Sequence, residues 1–125
     1  MSAAQKFDAG ALGVRQPERV RLLCVPLIET FEHPLLRPIG AIPDRFLTPA
    51  RGLTLRYGIL LRDDGWEDRE LIAHELAHVA QYERIGGICR FLDAYFRECL
   101  DPGYPLGPLE REAILAAANL VRGEN

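Results

Sequence analysis

The sequence predicts an α+β domain in which a small twisted sheet packs on one long helix that is backed by two further helices. Three observations predict it. Strand-like patterns fall in the first half of the chain, apolar residues recur at helical spacing in the second half, and proline and glycine punctuate the joins. At 125 residues the chain reads as one domain, residues 1–125, with a modest core.

Taken in order, residues 1–13 are small and polar and are expected to be flexible and frayed. Arg19 to Ile28 carries Val20, Leu22, Leu23, Cys24 and Val25 between Pro17 and Pro26, which reads as a buried strand, with a helix as the alternative. Five of the nine prolines fall between Pro26 and Pro49, so loop is expected there. From Gly52 to Arg62, Leu53, Leu55 and Tyr57 alternate with Thr54 and Arg56 ahead of Ile59-Leu60-Leu61. That is strand sequence, with Gly58 at a bulge or tight turn. The next segment reads as a helix with both ends marked, Asp64 and Glu67 forming a capping-box-like start and Gly86-Gly87 a stop. On it Ile72, Leu76, Val79 and Ala80 share a core face, while His74, Glu75 and His78 share another, with Leu71 and Tyr82 beside them. Beyond it Ile88, Phe91, Leu92, Tyr95, Phe96 and Cys99 recur at helical spacing as a core stripe, with Arg90, Asp93 and Arg97 outside. Pro108 suits the first turn of a last helix that runs to about Val121 and stops near Gly123.

The chemistry is concentrated in His74-Glu75-Leu76-Ala77-His78. On an α-helix, side chains four apart stand one turn apart on the same side, so both imidazoles can reach one ion. Zn²⁺ takes imidazole nitrogen at about 2.0–2.1 Å and accepts a carboxylate as third protein ligand, with a position left for water. Glu75, on the same side, is placed to take a proton from that water. The plain alternative is a surface helix carrying the pattern by accident. Against it stand the marked helix and the use of two of the chain's three histidines on one stripe.

A third ligand is needed, and the candidates are few. His33, in Glu32-His33-Pro34, reads by default as a solvated loop histidine. Glu110 and Glu112 lie on the last helix. Projected there, Glu110 falls inside the apolar arc of Leu109, Ala113, Ile114, Ala116, Ala117, Leu120 and Val121, whereas Glu112 falls opposite, with Leu115 and Asn119. A carboxylate aimed at a core must be paired, hydrogen-bonded or bound to a metal. Glu110 is therefore the better candidate, and Glu112 reads as a solvated charge.

The run Leu71-Ile72-Ala73-His74-Glu75-Leu76-Ala77-His78-Val79-Ala80-Gln81-Tyr82 resembles the active-site helix of gluzincin metallopeptidases, the compact minimal ones in particular. The resemblance covers residues 52 to 117. It implies a zincin-like fold, zinc as cofactor and a peptide or protein substrate. Gluzincins take their third ligand from a glutamate on a later helix, followed after two residues by a small residue and then by aspartate. Glu110 and Ala113 occupy the first two of those places, and Ile114 stands where the aspartate would be. Some other acceptor must then orient His74 or His78. The family also implies that the strand in 52–62 lies over the helix and pairs with an extended substrate.

Composition narrows the rest. A net charge of −3 without a long basic run argues against nucleic acid as a partner. Met1 to Gly13 lacks a signal-peptide apolar stretch and no segment is apolar enough to span a membrane. Cys24, Cys89 and Cys99 are an odd number without a CxxC pair, which points to buried, reduced thiols and a cytoplasmic setting. A hydrolase also needs a donor for the oxyanion, and Tyr104, in the turn before the last helix, is the candidate by position, with Arg84, Arg56 and Tyr57 as alternatives. The reading that results is a zinc metallopeptidase with His74, His78 and Glu110 as ligands and Glu75 as base. The competing readings are a zinc-binding regulatory module without turnover and a latent peptidase that needs a partner.

Overall fold

The computed structural model describes residues 1–26, 51–103 and 106–123. It is α+β: helix α1 (Ala3–Ala11), strands β1 (Arg21–Val25), β2 (Gly52–Leu55) and β3 (Gly58–Arg62), then helices α2 (Arg69–Ile85), α3 (Ile88–Glu98) and α4 (Pro108–Arg122). The sheet has the order β1-β3-β2, β3 running parallel to β1 and antiparallel to β2. The strand sequence of 52–62 is thus a hairpin. Leu55 pairs with Gly58 across a two-residue turn in which Arg56 takes a left-handed φ of 58°.

The main core lies between the sheet and α2, where Ile59, Leu61 and Val20 pack with Ile72, Leu76, Val79 and Ala80. α2 begins four residues later than Asp64 would have it. Its N-cap is Asp68, whose carboxylate accepts from the Leu71 amide at 3.0 Å. Its C-cap is Gly86 in the left-handed region, as the Gly-Gly stop requires. α2 is buried on both of its faces, because α4 covers what the sheet leaves open: Ala73 packs with Ala117 and Leu120. Tyr82, Phe91 and Leu109 form a third cluster that joins α2, α3 and α4.

Residues 3–11 form α1, which opens on a capping box in which Ser2 and Gln5 satisfy each other's backbone amides, and Ala9 is fully buried. A bidentate pair from Arg69 to Asp8, at 3.0 Å on each arm, and the Glu83 carboxylate accepting from the Arg15 and Gln16 amides tie this end to α2. β1 is not a buried strand. It forms one side of the sheet, with Leu22 against the core and Leu23 58% exposed. Of the thiols only Cys99 is buried, Cys24 and Cys89 being exposed, and none of the three is in a disulfide. In the α3 stripe Phe91 and Cys99 are buried, but Ile88 is exposed, as are Ile114 and Val121 of the apolar arc on α4. The proline-rich stretch and His33 lie outside the described residues. No described helix is long and apolar enough to cross a membrane.

Candidate metal centre

Two helices supply the centre. His74 and His78 project from successive turns of α2, and Glu110 enters from the first turn of α4, where the backbone is held from α3: Glu98 accepts from the Leu109 amide at 2.7 Å. Gly107, the N-cap, leaves room for that carboxylate, since a Cβ there would lie 2.9 Å from Glu98 Oε1 and 2.7 Å from its Cβ.

The three side chains converge. His74 Nε2 and His78 Nε2 are 3.2 Å apart, His74 Nε2 is 2.9 Å from Glu110 Oε1, and His78 Nε2 is 3.3 Å from Glu110 Oε2. Tetrahedral coordination with bonds of about 2.0–2.1 Å puts neighbouring ligand atoms about 3.3 Å apart. The donor set therefore fits a zinc-sized ion in both chemistry and spacing, and among the described residues this is the one group of three such side chains that could hold a metal. Two imidazoles and a carboxylate facing one another within 3.3 Å need a shared cation, either protons or a metal, to offset their lone pairs. The electrostatics reflect this. Burial raises the Glu110 carboxyl, yet its close pairing with the His74 and His78 rings outweighs it and holds the group well below the usual carboxylate range. Burial likewise opposes a charged His78, and the hydrogen bond to Glu110 with the charges of Glu75 and Glu110 reverses it, raising its pKa.

Glu75 is not one of the three. Its carboxylate lies against β2, where Thr54 Oγ1 donates to Oε2 at 2.6 Å and also approaches the Glu75 carbonyl at 3.1 Å. Gly52 makes the space: a Cβ there would stand 2.8 Å from Glu75 Oε1. Tyr82, stacked on Phe91, donates to the Thr54 carbonyl at 2.9 Å and so fixes β2 to α2 on the same side.

Around the ligands stand residues that the sequence reading missed. Tyr95 donates to Glu110 Oε2 at 2.7 Å; in the sequence it belongs to the α3 apolar stripe, and its hydroxyl is the one sign of a second role. Gln81 Oε1 lies 2.8 Å from His78 Nδ1 and so bears on the orientation of that ring. Glu112 is exposed as expected, but it is engaged, accepting from Gln81 at 2.9 Å and from Arg84 at 2.8 Å. Of the alternative oxyanion donors, Arg84 is committed to Glu112 and Tyr57 donates to Glu83 at 2.9 Å. Arg56 sits in the hairpin turn with its guanidinium 5.6 Å from the Tyr57 ring centre, and Tyr104 lies outside the described residues.

Fold and centre together define an α+β domain with a metal-competent site of two histidines and a glutamate. A family model described as the eCIS core domain matches residues 48–86, less than half of the chain. That span takes in β2, β3 and α2, with both histidines, Glu75, Thr54 and Gln81, and stops short of Glu110. No curated protein and no solved structure matches.

Proposed function

We propose that the protein is a zinc-dependent hydrolase of peptide bonds, a zincin-like domain of the gluzincin kind, with His74, His78 and Glu110 as the ligands. The observation that carries the reading is the convergence of these three side chains beside a glutamate that is not one of them. Zinc held by those three residues would supply Lewis acidity to an attacking water and to the carbonyl it attacks. Glu75 accepts the proton from the water and passes it to the leaving amine. Thr54 holds the Glu75 carboxylate in place, while Gln81 and Tyr95 hold His78 and Glu110. Strand β2, at the edge of the sheet among the described residues, lies over α2 and is the natural partner for an extended substrate.

A second reading, a zinc-binding module without turnover or a latent enzyme, is favoured by one observation. The centre is closed in: the side chains of His78 and Glu110 are 8% and 6% exposed, and that of His74 is 19% exposed. Glu75→Gln separates the two. In a hydrolase it leaves zinc content and folding nearly intact and removes orders of magnitude of rate on a diverse peptide mixture, because the base is lost and the ligands are kept. Should the parent protein, loaded with zinc, cleave nothing in that mixture, the reading as an active hydrolase falls and the module or the latent form stands.

A further inference from the structure

We propose that Gln81 is a positioning residue: it fixes His78 as the tautomer whose bare Nε2 faces the metal centre, and Leu109 and Glu112 hold Gln81 in the orientation that does so. The chain of reasoning starts at the far end of the side chain. Gln81 is fully buried, and one end of its amide meets the Leu109 carbonyl at 2.9 Å and the Glu112 carboxylate at 2.9 Å. Both partners can only accept, so that end must be the NH₂ group. The amide oxygen then faces His78 Nδ1 at 2.8 Å. An amide oxygen can only accept, so Nδ1 carries the hydrogen. A neutral imidazole has one N–H, which leaves Nε2 as a lone pair, and Nε2 is the atom that faces His74 Nε2 and Glu110 Oε2.

Two further features keep the amide from flipping. Leu109 is the residue before Glu110, so the carbonyl that anchors Gln81 belongs to the same turn of α4 that delivers the third ligand. Arg84, on the next turn of α2, donates to the same Glu112 oxygen that Gln81 uses and holds that carboxylate over the amide. A flipped amide would set its oxygen against a carbonyl and a carboxylate at once, at hydrogen-bond distance from both. Glu112 thus contributes to the centre without touching it.

The consequence for zinc rests on the metal reading above, but the tautomer does not, and the test uses both. Full-length protein labelled with ¹⁵N is stripped with chelator and its imidazole nitrogens are observed at a pH above the titration of His78; contacts to Phe91 and Tyr95, whose rings are each 5.8 Å from that of His78, identify it. The parent should show Nδ1–H with a bare Nε2. Gln81→Met, of similar length without a strong acceptor, should lose that preference and bind zinc about 10–100-fold more weakly by chelator competition. Gln81→Glu keeps the acceptor but sets an oxygen against Leu109 O, so its stability should fall while its zinc affinity stays nearer the parent's than that of the Met variant does. A role in packing alone would make affinity follow stability in both variants. An Nε2–H tautomer in the parent, or an unchanged zinc affinity in Gln81→Met, overturns the proposal. If Gln81→Met does not fold, the parent's tautomer decides by itself. A parent with the Nδ1–H tautomer that takes up no zinc would instead refute the metal reading and leave the role of Gln81 in orienting His78 standing.

Discussion

Gly52→Ala removes nothing and adds one methyl group, yet it should displace the proposed base. Gly52 does not occupy the left-handed region, so alanine fits its backbone, and such a change elsewhere in a fold stabilises by about 0.4–1 kcal/mol through the unfolded chain. Here the new Cβ would stand 2.8 Å from Glu75 Oε1 and 3.0 Å from its Cγ and Cδ, inside van der Waals contact. Glu75 is 5% exposed and held by Thr54 at 2.6 Å, so it cannot swing aside without giving up that bond. Overpacking of this kind costs about 1–3 kcal/mol, and loss of a hydrogen bond to a charged group about 1.5–3 kcal/mol; since relief of one brings the other, the net destabilisation should be about 1–3 kcal/mol. Urea unfolding of the parent, Gly52→Ala, Glu75→Ala and the double variant isolates the pair. With the Glu75 side chain gone the added methyl has nothing to meet, so Gly52→Ala should become neutral or mildly stabilising in that background. Zinc content should be unchanged in Gly52→Ala, because no ligand moves, and any peptidase activity should drop. An equal destabilisation in both backgrounds would mean that the methyl strains β2 itself, and the placement of Glu75 against Gly52 would be refuted.

The other predictions concern the metal, the pH range and the thiols. Elemental analysis of chelator-free protein should find one zinc per chain. His74→Ala and His78→Ala should abolish it and Glu110→Ala weaken it strongly, with Glu112→Ala milder than any of these because it acts only through Gln81; a stripped sample that refuses added zinc would end the metal reading. Burial, then the charge of Glu75, pushes the Tyr82 phenol from 10.0 up to about 12. The folded form thus holds the proton that the unfolded chain releases first, so this contribution to stability is complete below pH 10 and is lost between pH 10 and about 12. Tyr82→Phe should flatten urea-derived stability over that range while lowering it at neutral pH, where its bond to the Thr54 carbonyl is missed; an unchanged alkaline slope would count against the burial of the phenol. Finally, a thiol reagent should modify Cys24 and Cys89 in the native protein and Cys99 only on unfolding, and rapid labelling of all three would contradict the packing of Cys99.

Much of the centre was legible along the chain because helical geometry is local. Two histidines four apart on a marked helix must share a side, and an acidic residue inside an apolar arc must find a partner, so His74, His78 and Glu110 could be paired before any fold was known. The helix stop at Gly86, the start at Pro108 and the strand pattern of 52–62 are local in the same sense. The tertiary structure decided what depends on contacts distant in sequence. α1 has too few apolar residues to announce itself, and its order comes from docking, through Asp8 to Arg69 and the Arg15 and Gln16 amides to Glu83. β1 reads as buried because its composition is apolar, but burial of a strand depends on its place in the sheet, and only the pairing with β3 puts it at one side. Thr54, Gln81 and Tyr95 carry ordinary strand and helix letters. Their hydrogen bonds to Glu75, His78 and Glu110 exist only once β2, α2, α3 and α4 have packed, because a hydrogen bond requires its two atoms within about 3 Å and residue spacing does not set that distance between separate elements.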